Sequence, residues 1–428
     1  MNLKALRLIL VCGGFVLLSG GLGYKLGISR VSSASGPTVV TNTAVPKEKS
    51  IDFSLFWLVW DKLSRNYIDK SAIDAQKMVY GAISGMVSAL NDPYTIFLTP
   101  EENKDAKDEL GGQFEGIGAQ LGLKDKRIIV IAPLAGSPAK NAGVKAGDWI
   151  IKVDKNEIVG WSLQKVVSKI RGSRGSNVTL TLLHEGDEKP VEVTIVRDTI
   201  HVASAEWEKK NVACSMQHGA CTIEKEPCNN CVRVAVLKLT RFGDTTTTEW
   251  DKAVSEIVNE HCSTTNLGCK GVVLDMRNNP GGYLQGSVYI ASEFLPDGTV
   301  VSQQNSDGSK QTYTVNRKGK LLNVPLVVLV NKGSASASEI VAGALKVRGR
   351  AKLVGETTFG KGSVQNTEEL PNGAGLHITV ARWHLPDDST INGKGVEPNV
   401  IIDSSQKDTK EEDRDIPLEK AVEVLTTP

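Results

Sequence analysis

The stretch Val324-Pro-Leu-Val-Val-Leu-Val-Asn-Lys-Gly-Ser-Ala-Ser-Ala-Ser-Glu-Ile340 combines the signals of a strand, a turn and a helix start. The uninterrupted apolar run Leu326–Val330 predicts a buried strand, and Gly333 ends it. From Ile340 to Val347, small and apolar residues recur at helical spacing. The pattern therefore predicts that Ser336 lies on a strand-to-helix turn.

A serine on such a turn has chemical advantages as a nucleophile. Free amides at a helix start can donate to an oxyanion, and the helix dipole favours negative charge there. A base is also needed, and Lys361, between Gly360 and Gly362, is the candidate. Its amine accepts a proton only if burial lowers its pKa well below ~10.4. The alternative interpretation is an exposed lysine in an ordinary glycine turn.

Resemblance to a family favours the catalytic interpretation. The segments Asn331–Leu345 and Gly355–Gln365 closely resemble the carboxyl-terminal processing proteases of family S41, serine peptidases with a Ser-Lys dyad. The resemblance implies that Ser336 is the nucleophile, that Lys361 is the base and that Gln365 orients Lys361. If this second segment is a strand, its period of two places Lys361 and Gln365 on one face.

The stretch Gly271-Val-Val-Leu-Asp-Met-Arg-Asn-Asn-Pro-Gly-Gly282 predicts a second buried strand that ends in a tight glycine turn. In the proteases that this phrase resembles, the turn supplies an amide to the oxyanion hole. The resemblance assigns that amide to Gly281 or Gly282, paired with the amide of Ala337. Two such backbone donors each contribute on the order of 10²–10³-fold in rate.

Other titratable residues near these motifs receive structural interpretations. We interpret Asp275 and Arg277 as ion-pairing residues. His377 and His384 flank a predicted strand, but their odd separation places them on opposite faces. Neither histidine falls in a catalytic motif of the family, so Lys361 remains the preferred base.

Residues 111–197 have the length of one small domain and a strand-rich pattern. The short motifs Ser-Pro-Ala, Ala-Gly and Gly-Asp between the predicted strands resemble those of a PDZ domain. PDZ domains bind an extended peptide and hold its terminal carboxylate on backbone amides. Arg171 matches a PDZ arginine that couples peptide binding to protease activation in some relatives, or else is a solvent-exposed turn residue. Whether the domain activates or inhibits is left open. The residues assigned to peptide binding are Gly116, Ile117, Gly118, Ala119 and Arg171.

Length and composition predict a multidomain enzyme. A chain of 428 residues is long enough for two or three domains, and its net charge of +1 gives no sign of nucleic-acid binding. We expect an α+β and α/β architecture whose catalytic core, by resemblance, is a mixed sheet with helices in crotonase-like ββα units. The predicted segments are a membrane anchor or signal (1–25), a flexible linker (26–50), an N-terminal helical segment (51–110), the PDZ domain (111–197), the peptidase core (198–403) with a cysteine-rich insertion (212–230), and a charged C-terminal tail (404–428).

The N-terminus predicts a membrane anchor. Lys4 and Arg7 precede the apolar stretch Leu8–Tyr24, and no Ala-x-Ala cleavage site follows it directly. Positive charge before the stretch favours a catalytic domain outside the cytoplasm. If the segment is cleaved instead, the protein is secreted or periplasmic.

Six further cysteines lie beyond the N-terminal segment, and their even number in a domain outside the cytoplasm favours disulfide bonds. The sequence cannot choose among the pairings. Zinc binding is the alternative, because Cys228 and Cys231 have ligand spacing and His218 is nearby, but a second close pair is missing. The disulfide candidates are Cys214, Cys221, Cys228, Cys231, Cys262 and Cys269.

Together these features predict a membrane-anchored serine endopeptidase that recognises protein C-termini and cleaves near them. Its partners are protein or peptide substrates with accessible C-termini and the membrane, with no cofactor and no metal; a homo-oligomer is left open. A non-catalytic PDZ scaffold is the rival interpretation. A penicillin-recognising enzyme is disfavoured, since Ser162-Leu-Gln-Lys165 matches only one of its motifs.

Overall fold

A computed structural model of the chain provides the fold. It describes residues 52–124, 127–134, 136–184, 186–214, 221–224, 232–261, 269–402 and 414–426. The predicted N-terminal anchor and linker, and Cys228, Cys231 and Cys262, lie outside these residues. Within them, no helix has both the length and the apolar character needed to cross a membrane.

The helices and strands are numbered along the chain. The helices are α1 (Ser54–Asn66), α2 (Ala75–Ser88), α3 (Pro100–Leu110), α4 (Pro138–Asn141), α5 (Leu163–Ile170), α6 (Thr246–Glu256), α7 (Leu284–Ala291), α8 (Ala337–Val347) and α9 (Ile416–Thr426). The first ten strands are β1 (Ile96–Leu98), β2 (Gln113–Gly116), β3 (Ala119–Lys124), β4 (Arg127–Pro133), β5 (Trp149–Val153), β6 (Asn156–Glu157), β7 (Asn177–Leu183), β8 (Val191–Val196), β9 (Asp198–His201) and β10 (Ala205–Cys214). The others are β11 (Cys221–Glu224), β12 (Val232–Leu239), β13 (Cys269–Asp275), β14 (Thr299–Asn305), β15 (Lys310–Thr314), β16 (Leu326–Val330), β17 (Lys352–Gly355), β18 (Ser363–Glu369), β19 (Gly375–His384) and β20 (Val400–Ile401).

The chain divides into two compact units, the first ending at Met86 and the second beginning at Val87. In the first unit, four aromatic residues lie on α1 and the residue before it. Phe53, Phe56, Trp57 and Trp60 contact one another with ring centroids 5.0–6.2 Å apart. These residues recur at the i, i+3, i+4 and i+7 spacing of one helix face, so their rings pack together on one side of α1.

A seven-stranded sheet forms the centre of the second unit, in the order β11-β10-β12-β13-β16-β17-β20. The strands from β12 to β20 run parallel, while β10 and β11 are antiparallel. Every residue of Leu326–Val330 is buried, as the apolar run predicts. One face of this sheet packs against α6, α7 and α8 in a core that includes Trp250 and Phe294.

The opposite face of the sheet is covered by α9. Leu418, Ala421 and Val422 of this helix are buried against side chains of β12, β13, β16 and β17. The prediction of a charged tail over 404–428 therefore needs a correction, because residues 416–426 form a helix that packs on the central sheet. Apolar residues at helical spacing provide its buried face.

A second sheet joins β1, which precedes the PDZ region in sequence, to strands that follow the central sheet's β13 and β17. Its order is β1-β19-β14-β15, and β18 also pairs with β19. Strand β1 pairs with the start of β19, with Ile96 opposite His377. Residues just before β1 therefore lie close to the strand that follows Lys361.

The PDZ region is a separate sheet in the order β3-β4-β5-β7-β8, with β6 beside β5. Its buried core includes Val130, Val166 and Leu180. Strands β2 and β9 pair with each other at the two ends of the domain and connect it to the core. The mixed multidomain architecture predicted from the sequence is confirmed.

The described part of the cysteine-rich insertion is a hairpin. Cys214 at the end of β10 lies directly opposite Cys221 at the start of β11. Cys269 lies opposite Arg233, at the start of β13. These backbone positions leave the disulfide pairing a prediction.

Candidate active site

Ser336 lies between β16 and α8, at the predicted strand-to-helix turn. Its backbone has φ 53° and ψ −115°, a conformation that residues with side chains rarely adopt. Such strain costs about 1–3 kcal/mol and is found mainly at functional sites, including strained nucleophile turns. The turn holds Ser336 at the N-terminus of α8, next to the Ala337 N–H, which has no acceptor among the described residues.

Glu339, one turn into α8, is the residue that joins Ser336 to the second motif. Its side chain is fully buried. Its Oε2 accepts hydrogen bonds from the backbone N–H of Ser336 and from that of Lys361, each at 2.9 Å. Its Oε1 accepts from the Gly360 N–H and the Thr358 hydroxyl, each at 2.6 Å. One carboxylate therefore connects two segments: residues 331–336 before α8, here called the serine turn, and residues 356–362 between β17 and β18, here called the lysine loop.

The Lys361 amine lies in a partly apolar environment. Its Nζ is 5.5 Å from the ring centroid of Tyr94, which comes from the segment before β1. Burial lowers the pKa of Lys361, although the charges of Glu339 and Asp92 act in the opposite direction. None of the ion pairs formed by the described residues includes this amine. The environment therefore favours a neutral lysine more than bulk water does.

Gln365 lies on β18, but Lys361 does not. The strand begins at Ser363, and Gly360 and Gly362 on either side of Lys361 both have positive φ. The alternation of a strand therefore does not reach Lys361, and that argument for a shared face is corrected. The Gln365 side chain donates through Nε2 to the hydroxyl of Ser363, at 2.8 Å. Among the described residues, no donor contacts its Oε1.

Gly281 lies directly against the serine turn. A Cβ at this position would come within 2.7 Å of the Ser336 Cβ and within 2.9 Å of the Ala337 nitrogen. Its φ of 101° also requires glycine. The Gly281 N–H donates to the Asn279 Oδ1 at 2.9 Å. Gly281 thus contacts the serine turn, but its own N–H already donates to Asn279.

The amide of Gly282 is more available. The Gly281 carbonyl accepts from the Phe242 N–H at 2.8 Å, and a trans peptide directs the Gly282 N–H away from Phe242. Neither the Gly282 N–H nor the Ala337 N–H has an acceptor among the described residues. Of the two glycines predicted to supply a donor, Gly282 therefore has the open amide.

The glycine turn is fastened to the serine turn by asparagines. Asn278 and Asn331 exchange hydrogen bonds of 2.8 and 2.9 Å. The Asn279 carbonyl accepts from the Ala335 N–H at 2.9 Å and from the Ser338 hydroxyl at 3.0 Å. These bonds fix the separation between the two turns.

The histidines do not offer a better base. His377 is half-buried, and burial together with the nearby charge of Lys361 lowers its pKa. His384 contacts the carbonyl of Asp388 at 3.1 Å. Neither has a described hydrogen bond to Ser336.

Comparison with known proteins shows the family. A family model described as Peptidase family S41 matches residues 233–402, and a PDZ domain model matches residues 129–183. A third model, described as Activating protease CtpB N-terminal domain, matches residues 23–102. A probable CtpA-like serine protease of Staphylococcus haemolyticus is 34% identical over 95% of this chain and 74% of its own length. The chain belongs to peptidase family S41.

Two further relatives agree with this assignment. The carboxy-terminal processing protease CtpA of Bacillus subtilis is 34% identical over 86% of this chain and 74% of its own length. A solved structure, the photosystem II D1 C-terminal processing protease, is 31% identical with a TM-score of 0.50, over 82% of this chain and 92% of that one. The protein is therefore an S41 serine peptidase of the C-terminal processing type, with a PDZ domain.

The PDZ loop of this S41 peptidase, Gly116–Ala119, contains a glycine in the left-handed region. Gly118 has φ 72°, and a Cβ there would come within 2.5 Å of the Ser137 Cβ. The Ile117 carbonyl accepts from Ala139 and the Gly118 carbonyl from Leu134. Among the described residues, the N–H groups of Ile117 and Gly118 have no acceptor. The two carbonyls of the loop are therefore bonded within the PDZ domain, whereas these two amides are open.

Arg171 follows α5 at the edge of the PDZ domain. Its guanidinium carbon lies 5.1 Å from the ring centroid of Phe114 on β2. Because β2 leads from α3 into the domain, this contact joins the PDZ domain to its connecting strand. The coupling role predicted for Arg171 stays a prediction.

Three contributors to the site were absent from the sequence predictions. Glu339 carried a signal, since Ser-x-x-Glu at a helix start is a capping pattern. Asn279 and Tyr94 carried none, because their partners are distant in sequence. By contrast, the interpretation of Asp275 and Arg277 as an ion pair is confirmed by an N–O distance of 2.6 Å.

Proposed function

We propose that this S41 peptidase is an endopeptidase that captures protein C-termini in its PDZ domain and cleaves nearby through a Ser336–Lys361 dyad. The observation that carries the proposal is the shared Glu339 oxygen, which lies 2.9 Å from the backbone nitrogens of both residues. This bond pattern supports a common site for a nucleophile and a base that are separate in sequence.

In the first half of the reaction, the Ser336 hydroxyl attacks the scissile carbonyl while the Lys361 amine takes its proton. A neutral amine is required for this step, and the lowered pKa of Lys361 supports it. The tetrahedral oxyanion accepts hydrogen bonds from the amides of Ala337 and Gly282. The protonated lysine then gives its proton to the leaving amine, and an acyl-enzyme remains on Ser336.

In the second half, water attacks the acyl-enzyme and Lys361 again serves as base and then as acid. Gln365 is proposed to position the lysine through its Oε1, which can accept a hydrogen bond from the amine. The bond between its Nε2 and Ser363 supports this role, because it fixes which end of the side-chain amide faces outward.

The PDZ loop supplies specificity in this proposal. A substrate chain adds to the domain as an extended strand, and its terminal carboxylate meets the amides at Ile117 and Gly118. Arg171, which contacts Phe114, is proposed to couple peptide binding in the PDZ domain to the activity of the peptidase core. The expected substrates are proteins whose C-termini are accessible and apolar.

A free carboxylate is expected to be required for efficient cleavage. Converting the C-terminus of an unfolded protein substrate to a primary amide should lower kcat/KM by about 10- to 100-fold, because a charge-assisted hydrogen bond contributes about 1.5–3 kcal/mol. Cleavage is followed by mass spectrometry at substrate concentrations below KM, which also locates the cut.

Two controls accompany this comparison. The Ser336→Ala variant should leave both substrates uncut. A peptide that contains the cleaved bond but lacks the apolar C-terminal residues should have the same kcat/KM with a carboxylate and with an amide at its C-terminus. Equal kcat/KM for the carboxylate and the amide would contradict C-terminal recognition while leaving the peptidase assignment in place.

We also propose that the peptidase works outside the cytoplasm, held by its N-terminal segment. The support is the charge and hydropathy of residues 1–25, in which Lys4 and Arg7 precede the apolar stretch.

A further inference from the structure

An ion-pair network joins the C-terminal helix to the turn that carries the oxyanion amides. Arg277 ends the segment after β13 and begins the turn that leads to Gly282. Its guanidinium donates to the Asp415 carboxylate at 2.7 and 2.8 Å. It also donates to Asp275 at 2.6–3.1 Å. Two carboxylates, one from 138 residues further along the chain, therefore fix the orientation of one arginine.

Asp415 is itself held in place. Its Oδ1 accepts from the Leu418 N–H at 3.1 Å, which caps the first turn of α9. Partial burial opposes its charge, but the bonds to Arg277 lower the pKa of Asp415. The helix behind it is anchored by the buried Leu418, Ala421 and Val422. The Asp415 carboxylate thus lies at the start of a helix whose buried face packs on the central sheet.

The turn after Arg277 transmits this position to the catalytic residues. Asn278 is bonded to Asn331, and the Asn279 carbonyl is bonded to Ala335, next to Ser336. The Asn279 side chain accepts from the Gly281 N–H. A displacement of Arg277 therefore displaces the peptide groups that carry the open amides.

We propose that Asp415 is a positioning residue for catalysis, through which α9 sets the place of the oxyanion turn. The inference rests on the proposed dyad function. Asp415 contacts neither the proposed nucleophile nor the base, so its effect passes through Arg277. Loss of the contact should leave substrate capture by the PDZ domain intact and weaken binding of the transition state.

The test compares Asp415 variants with a control in the same helix. Asp415→Ala and the isosteric Asp415→Asn are expected to lower kcat by about 10- to 100-fold, since small displacements of catalytic groups have costs of this order. KM should stay within about twofold of wild type. Asp415→Glu should recover part of kcat. Leu425→Ala, near the other end of α9, removes an apolar contact with the same core without touching Asp415 or Arg277, so it should lower Tm and keep kcat.

The readouts are kcat, KM and Tm, with near-ultraviolet circular dichroism to show that each variant is folded at the assay temperature. The inference is overturned if folded Asp415→Asn has wild-type kcat, or if Leu425→Ala loses as much kcat as Asp415→Ala, since helix stability alone would then explain the loss. Ser336→Ala is measured in parallel. Activity in that variant would overturn the proposed function instead.

Discussion

Replacing Ser336 or Lys361 by alanine is expected to lower kcat by about 10⁴-fold or more, and replacing both should lower it little further. The two side chains act in one step, so the loss of either removes the whole contribution of the pair. Cleavage of an unfolded protein with an apolar C-terminus measures the effect. Tm should stay close to wild type, because neither side chain belongs to the buried cores.

Lys361→Arg provides the matched control for this prediction. Arginine keeps the positive charge and much of the volume of lysine, but it does not lose its proton at working pH. Its kcat should therefore be as low as that of Lys361→Ala. Wild-type activity in Lys361→Arg would contradict a proton-accepting lysine, and additive losses in the double variant would contradict a concerted pair.

Glu339→Gln is expected to have the next largest effect, with kcat lower by about 10²-fold. The substitution replaces one carboxylate oxygen by an amide NH₂ group, so at least one of the four donors around it loses its acceptor. An unsatisfied buried donor costs about 1–3 kcal/mol, and the free energy of unfolding should fall by that amount. The serine turn and the lysine loop should then separate.

Glu356→Gln is the control for Glu339→Gln. Glu356 lies in the same loop as Lys361, and its ion pair of 3.2 Å is with Lys332, whose side chain is 82% exposed. The Glu356 side chain is 16% exposed, but its only ion-pair partner among the described residues lies in solvent, so this variant should lose at most about 1 kcal/mol of stability and keep nearly wild-type kcat. Chemical denaturation and steady-state kinetics measure both variants. Equal kcat in the two would contradict a positioning role for Glu339.

Local sequence signals predicted those strands, turns and helices of the site whose conformation depends on residues close by in sequence. The apolar run Leu326–Val330 and the small residues after Ser336 were enough for the strand, the turn and the helix. The lysine loop was less predictable. Gly360 and Gly362 adopt positive φ, so β18 starts only at Ser363 and alternation does not describe Lys361.

Contacts between distant segments could not be predicted in this way. The capping pattern indicates that Glu339 faces Ser336, but only the fold brings the N–H of Lys361 to the same oxygen. The C-terminal helix shows a related limit. The charged residues before Asp415 dominated the interpretation as a tail, although Leu418, Ala421 and Val422 follow at helical spacing.

The proposed dyad makes a definite prediction about pH. Burial lowers the pKa of the Lys361 amine from its ordinary 10.5. Below that lowered pKa the amine is protonated and cannot accept the serine proton, and above it the amine is neutral. The reactivity of Ser336 should therefore rise with pH, with a midpoint below 10.5.

The most direct measurement is the rate at which a peptidyl phosphonate with an apolar side chain forms a covalent adduct with the protein. The adduct is detected by mass spectrometry, and its rate of formation is measured at a series of pH values below 10.5. The account predicts one adduct, on Ser336, formed at a rate that rises with pH in the wild type and loses this dependence in Lys361→Arg. An adduct on a different residue, or the same pH profile in Lys361→Arg, would contradict it.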